Sequence, residues 1–356
     1  MKYLSIILLS FLIIGGFHSC STDVDINAPW KDITVVYGLL NQNDTIHYIK
    51  VDKAFLGDAS AYEMAAISDS VNYQNILVKV YKIKTSNGIS DTIKTYLFKD
   101  TVMNKDDGVF ATDNNIIYYN TEALITTSEA SNIDNYTFGL QIHIPKYDKD
   151  VTGSTKLISK LLVDKPNSYE PTINLMGING YDVKWTSTEG ARLYQLTLRF
   201  HYYELTATDT TEHYIEYPMS TKISQTELGD EKMTQNINGR TFFQYMAAHI
   251  EEDNNIIKRI VKQDCLDFNF VVGATDLNTY IEVSSPSNGI VQEKPAYTNI
   301  NNGIGLFSSR FNKSVLGKEL DQKTIDSLAV NNMTKKLKFV NYQKTIDFWA
   351  NINAGN

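Results

Sequence analysis

The segment from Tyr136 to Ile144, YTFGLQIHI, decides the fold class of this 356-residue chain. Its apolar side chains occur at every second position, and polar or small residues fill the positions between them. The apolar set is Tyr136, Phe138, Leu140, Ile142 and Ile144. Because successive side chains of a β-strand point to opposite faces of the sheet, this spacing predicts a strand with one face in a hydrophobic core and the other in water.

Similar patterns precede this segment as far back as residue 32. The predicted strands are residues 33–40, 45–51, 76–83 and 92–98, with a further pair expected within 108–119. The first two flank a polar turn and should form a hairpin. Asn87 and Gly88 predict another hairpin, because both residues tolerate the positive φ of a type I′ turn. Residues 32–165 therefore predict an antiparallel β-sandwich of about seven strands.

The composition changes at residues 166–171, PNSYEP, where two prolines mark a domain boundary. Behind it, a strand pattern over residues 181–194 contains Trp185, Ala191 and Tyr194. The arrangement resembles the B and C strands of fibronectin type III domains, which bury a tryptophan and continue with Ala-x-x-Tyr. This resemblance implies a second β-sandwich over residues 166–290, with Trp185 in its core.

A helical insertion interrupts the second sandwich. One helical stripe is formed by Phe242, Phe243, Met246, Ala247 and Ile250. Strands are expected to resume at 268–273 and 280–283, and the C-terminal segment 291–356 should pack on the sandwiches. That segment predicts a turn and strand at 301–307, a helix within 318–330 and an edge strand at 336–340. The expected fold class is all-β: two antiparallel β-sandwiches with a few short helices.

The N-terminal residues 1–19 have the features of a secretion signal. Lys2 precedes an apolar run that is too short to span a bilayer, and Cys20 follows shortly after it. The stretch resembles a bacterial lipoprotein signal, which implies cleavage before Cys20, lipid attachment there, and a tether over residues 20–31. An ordinary secretory signal is the alternative. Asp23 and Asp25 resemble the acidic surface-export signal of Bacteroidota lipoproteins and imply the cell surface; the periplasmic face is the alternative.

Two short motifs extend the lipoprotein resemblance to the mature chain. VVYGLL occupies residues 35–40 and GIGLF occupies residues 303–307. This layout resembles a family of Bacteroidota outer-membrane lipoproteins with a domain of unknown function. Such families often accompany TonB-dependent transporters, so the resemblance implies an outer-membrane transporter or another envelope protein as partner.

Charge and cysteine content restrict the function classes. The chain carries a formal charge of −8 without a basic cluster, which argues against nucleic acid and anionic lipid headgroups as ligands. It has two cysteines. If Cys20 carries lipid, Cys265 has no intramolecular partner, and the acids that flank it would raise its thiol pKa, so a buried structural cysteine is the preferred interpretation.

The sequence contains no recognisable catalytic or metal-binding motif: HExxH, CxxC, GxSxG, a P-loop and a dinucleotide-binding GxGxxG are all absent. The histidines lack metal-ligand spacing, and His143 and His201 are expected on solvated strand faces. Residues 100–108 resemble a calcium loop only faintly, and a solvated turn is preferred. We therefore expect no cofactor, no bound metal and no catalytic residue.

Two stretches are candidates for binding. The aromatic group His201, Tyr202, Tyr203, Tyr214 and Tyr217 would suit a glycan or peptide platform, although strand alternation should bury about half of it. Residues 58–70 suit a short helix that serves as a binding loop or, preferably, as a connector across a sandwich edge.

Six Asp-Ser/Thr triplets match the pattern at which Bacteroidota O-glycosylate exported proteins. The acceptor residues are Thr45, Ser70, Thr92, Thr101, Thr210 and Ser327. Turn chemistry explains part of the excess, because Asp-Thr commonly leads a turn into a strand.

The sequence thus predicts a non-catalytic, lipid-anchored accessory or binding protein of an outer membrane or cell surface. An adhesin or pilus-associated structural protein built from the same sandwiches is one alternative, and a hydrolase with an unrecognised site is another.

Overall fold

The chain folds mainly into β-strands, as the alternating patterns predict. The structure is a computed structural model that describes residues 33–54, 61–108, 111, 113–285 and 296–354. The predicted signal peptide and tether, with Cys20, Asp23 and Asp25, lie outside the described residues.

The described N-terminal part contains seven strands and two short α-helices, with 3₁₀ turns at Ala130–Asn135 and Pro145–Tyr147. The strands are β1 Ile33–Leu40, β2 His47–Ala54, β3 Leu77–Ser86, β4 Ile89–Val102, β5 Ile116–Asn120, β6 Tyr136–Ile144 and β7 Lys149–Lys156; the helices are α1 Ala61–Ala65 and α2 Ser68–Val71. Strands β1 and β2 form the predicted antiparallel hairpin. The turn between β3 and β4 is also confirmed, with φ of 52° at Asn87 and 78° at Gly88.

The remaining chain contributes ten described strands and four helices. The strands are β8 Leu162–Lys165, β9 Thr172–Ile173, β10 Tyr181–Thr186, β11 Ala191–Leu205, β12 Thr210–Pro218, β13 Lys222–Ile223, β14 Lys232–Ile237, β15 Lys258–Ala274, β16 Ile300–Asn301 and β17 Ile304–Leu320. The helices are α3 Gly239–His249, α4 Thr275–Ser284, α5 Gln322–Val330 and α6 Tyr342–Ala354.

A 14-stranded sheet runs through the whole fold. Its main order is β12-β11-β15-β17-β1-β2-β5-β4-β3-β6-β7-β16, and the other two strands branch from this path, with β13 on β11 and β9 on β17. A separate three-stranded sheet has the order β14-β10-β8. The long strand β17 pairs antiparallel with β15 but parallel with β1, so the sheet departs locally from the antiparallel expectation. A parallel pair requires a long crossover, and here almost the whole chain separates the two strands.

Two hydrophobic clusters form the core. The first contains buried residues from Val36 to Leu157 together with Ile300 and Phe307, and the second contains buried residues from Ile158 to Phe339. Strand β17 contributes to both, with Phe307 in the first cluster and Phe311 and Leu320 in the second. The C-terminal segment is therefore an integral part of both cores.

Trp185 lies in the second cluster and is 1% exposed, as the fibronectin-like pattern predicts. Its ring centroid is 5.4 Å from that of Phe270 and 6.1 Å from that of Tyr194. Helix α3 is confirmed as well, and it buries Phe242, Phe243 and Met246 completely. Ala247 of the predicted stripe is exposed instead.

Three local predictions differ from the structure. Residues 280–283 belong to helix α4, because Ala274 ends β15 and the chain turns directly into the helix. Residues 336–340 form a short 3₁₀ turn with a single bridge between Arg259 and Phe339 instead of an edge strand. Of the strand pair expected within 108–119, the described residues contain only β5.

Candidate ligand pocket

A mainly apolar cavity of about 730 Å³ lies on the outer face of the β1–β2 hairpin. Helices α1 and α2 and the loops before β5 complete its walls. The described lining residues are Val35, Tyr37, Lys50, Asp52, Lys53, Ala54, Tyr62, Ala65, Val71, Asn72, Lys105, Ala111 and Asn115.

Strand alternation explains why the hairpin has one face available for this pocket. Val36 and Ile49 point into the core and are fully buried, whereas Val35 and Tyr37 point to the opposite face. The two short helices cover that second face incompletely, and the uncovered space between sheet and helices is the pocket.

The polar groups of the pocket are largely satisfied within the protein. Lys50 Nζ lies 2.9 Å from an Asp52 carboxylate oxygen and donates to the Ile116 carbonyl at 2.7 Å and to Asn72 Oδ1 at 3.4 Å. An ammonium group has three donors, and these contacts use all of them. The pair therefore contributes a neutralised polar patch in a mainly apolar cavity.

Tyr37 connects the pocket to the C-terminal part of the fold. Its hydroxyl lies 3.0 Å from the Tyr280 hydroxyl on α4, and the two rings meet edge to face at 6.1 Å. Burial, the hydrogen bond to Tyr280 and the charge of Asp52 raise the pKa of Tyr37 to about 12. Tyr37 is therefore neutral at physiological pH and acts as a hydrogen-bonding wall residue.

The described lining contains no histidine, cysteine or serine, so it offers no nucleophile–base couple of the usual kind. In the described ranges, no group of three or more His, Cys, Asp or Glu residues is arranged to hold a metal ion. None of the described helices is long and apolar enough to cross a membrane.

The sequence-predicted aromatic platform is divided between two environments. Tyr202 is buried in the second core cluster, whereas Tyr214 is 59% exposed on β12. His201 is not solvated as expected: its Nε2 lies 2.9 Å from Asp267 and its Nδ1 lies 3.5 Å from Glu212. Alternation along β11 turns Tyr202 towards the core, whereas His201 and Tyr214 lie together on the other face with ring centroids 6.0 Å apart. Part of the group is therefore buried, as strand alternation predicts.

His143 and Cys265 occupy the positions that the sequence suggests. His143 is half-buried and its Nδ1 lies 3.0 Å from Asp150 on the neighbouring strand β7. Cys265 is 1% exposed, and burial raises the pKa of its thiol to about 12. Such a thiol remains protonated and unreactive at physiological pH.

The six O-glycosylation acceptors are all at least partly accessible. Thr45, Thr92 and Thr210 are exposed. Ser70, Thr101 and Ser327 are half-buried. Their modification remains a prediction.

No protein-family model matches the chain, and a search of curated proteins finds no similar sequence. The pocket is therefore assigned from its own geometry. The sequence does not predict this pocket, although helices α1 and α2, which fall mostly within the candidate binding loop 58–70, form part of its wall. Residues 58–60 of that stretch lie outside the described residues. Its walls come from separate segments between Val35 and Asn115, and only pairing and packing bring them together.

Proposed function

We propose that this protein is a non-catalytic, lipid-anchored binding protein of a bacterial outer membrane that works at the cell surface beside a TonB-dependent transport system. The observation that supports the binding role is the 730 Å³ cavity on the β1–β2 hairpin. Small-molecule sites usually measure about 300–1,000 Å³ and have mostly apolar walls with a few polar groups. The anchor and the location rest on Cys20, Asp23, Asp25 and the lipoprotein resemblance.

The ligand in this proposal has an apolar and uncharged body. Val35, Ala54 and Val71 supply apolar wall surface, and Tyr37 supplies an aromatic edge. Asp52 neutralises Lys50, and Lys53 Nζ donates to the Asp69 carbonyl at 2.8 Å, so a ligand gains little by bringing a charge to these two lysines; Lys105 also lines the pocket.

A fluorescent probe tests this binding role. N-phenyl-1-naphthylamine is apolar, uncharged and brightly emissive only outside water. We expect saturable emission with the purified soluble chain. Ala54→Trp should abolish it by filling the pocket, because Ala54 is half-buried in the wall.

Ala207→Trp is the matched control, because Ala207 is exposed in the turn before β12. It should leave probe binding unchanged, and both variants should retain the far-UV circular dichroism of the parent. Equal binding by the parent and Ala54→Trp would contradict the assignment of the pocket. A pull-down from solubilised envelopes then tests the transporter partner.

A further inference from the structure

A second surface, separate from the pocket, lies where two open strand edges border one groove. Strand β17 is paired with β15 along one side, but on its other side the ladder to β1 stops at Ser309 and pairing resumes only at Glu319 with β9. Strand β8 is the edge of the three-stranded sheet. No ladder among the described strands joins β8 to β17. The groove that they share measures about 460 Å³.

The charge of this groove is uncompensated. Lys160, Lys313 and Lys318 line it, and none of them forms an ion pair among the described residues. Its described lining contains no Asp or Glu. Three lysines without a carboxylate are unusual in a chain whose formal charge is −8.

Lys318 shows this imbalance most clearly. It is 7% exposed, and its Nζ donates to the Asn167 carbonyl at 2.6 Å. The other buried cations have carboxylate partners: Lys82 pairs with Glu129 at 2.6 Å, and Arg259 pairs with Glu204 at 2.7 Å. A buried ammonium is costly without a counter-charge, so the Lys318 site is complementary to a carboxylate from outside the described fold.

The groove also presents apolar side chains. Leu162 on β8 is 61% exposed and Leu316 on β17 is 65% exposed, and Val163 and Val315 lie beside them. Exposed leucines on an open strand edge favour association with another extended chain unless something covers them.

We infer that this groove binds an extended peptide segment of a partner protein that carries acidic and apolar side chains. The segment adds as a strand beside residues 313–318, a length of about 20 Å at 3.3 Å per residue. Main-chain hydrogen bonds to the open edge supply affinity, and side chains that meet the leucines and lysines supply specificity. This surface lies outside the ligand pocket, and its partner is a protein rather than a small molecule.

Fluorescence anisotropy with a labelled seven-residue peptide, in which glutamate alternates with valine, tests the inference. We expect saturable binding, and at least about tenfold weaker binding of the analogue with glutamine in place of glutamate. A glutamate peptide with alternate amides N-methylated should also bind at least about tenfold more weakly, since it cannot add to a strand edge.

Protein variants localise the binding. The double variant Lys160→Gln/Lys313→Gln should bind the glutamate peptide at least about tenfold more weakly than the parent protein does. Lys318→Met should weaken peptide binding to the same extent if the variant folds. If it does not fold, the double variant of Lys160 and Lys313 still decides the test. Lys99→Gln is the matched control, because Lys99 is exposed on β4 and should leave affinity unchanged.

The inference would be overturned by no binding of the glutamate peptide, by equal binding of the glutamine analogue or of the N-methylated peptide, or by equal binding to the lysine pair variant. Self-association that competes with the peptide and disappears in the pair variant would identify a second copy as the occupant, and would also overturn it.

Discussion

The ion pair between Lys82 and Glu129 gives the sharpest stability prediction for this fold. Lys82 Nζ lies 2.6 Å from Glu129 Oε2, with side-chain exposures of 5% and 19%. The same carboxylate oxygen accepts hydrogen bonds from the Thr126 backbone N–H and hydroxyl, each at 2.8 Å. Burial alone would raise the pKa of Glu129, but the donors from Lys82 and Thr126 outweigh it and lower the pKa to about 2.

The perturbation is Glu129→Gln, which leaves Lys82 buried without a counter-ion. Removing one partner of a buried pair typically costs about 3–5 kcal/mol. Glu129 is partly exposed and glutamine keeps an acceptor oxygen, so we expect the free energy of unfolding to fall by about 2–3 kcal/mol. The control is Glu122→Gln, because the Lys94–Glu122 pair is 3.0 Å long with side chains 41% and 53% exposed. It should cost less than about 1 kcal/mol.

The pH dependence of stability tests the same interaction. A carboxyl group whose pKa is lower in the folded state stabilises the fold above its unfolded value, here 4.5, and loses that contribution as the pH falls towards 2. The drop in unfolding free energy from about pH 7 to about pH 3 should therefore be larger for the parent than for Glu129→Gln.

Urea unfolding followed by circular dichroism measures these differences. The double variant Lys82→Met with Glu129→Leu should recover most of the lost stability, because it removes both buried charges. Equal losses for Glu129→Gln and Glu122→Gln, or unchanged pH dependence in Glu129→Gln, would refute the reasoning.

Three further predictions concern the second core and the N-terminus. Trp185→Ala should lower the unfolding free energy by about 3–5 kcal/mol through lost aromatic burial and a cavity, and an unchanged urea midpoint would contradict this. Cys20→Ser should release the protein from membranes or leave the precursor unprocessed; a mutant that fractionates and migrates like the parent would disprove lipidation. Replacing Asp23 and Asp25 together by Ala should protect the protein from protease added to intact cells, whereas protection of the parent as well would indicate the periplasmic face.

Local periodicity in the sequence is sufficient to predict a strand where one face of that strand packs against a core along its whole length. Strand β6 runs from Tyr136 to Ile144 as its alternation predicts, and Asn87-Gly88 turns the β3–β4 hairpin. The burial of Trp185 and of the apolar stripe on α3 is also predictable from the sequence. Burying large apolar side chains stabilises the fold strongly, so their positions indicate which face packs into the core.

Strand β17 shows where that reasoning stops. The sequence suggested a short strand near residues 303–307, but the strand continues to Leu320 through a mixed polar stretch. Its neighbours change along its length, from β1 to the open groove and then to β9 on one side, with β15 on the other. Burial of its side chains therefore follows the neighbouring strands and shows no single period.

The pocket and the buried Lys318 depend on the same distant pairings. A lysine in a polar stretch predicts a solvated side chain, but Lys318 is mostly buried where Asn167 and the edge strand β8 border the groove. Sequence patterns report how one element divides its faces between core and water. Which elements become neighbours, and thus which polar groups are enclosed together, is set by contacts between residues far apart in the chain.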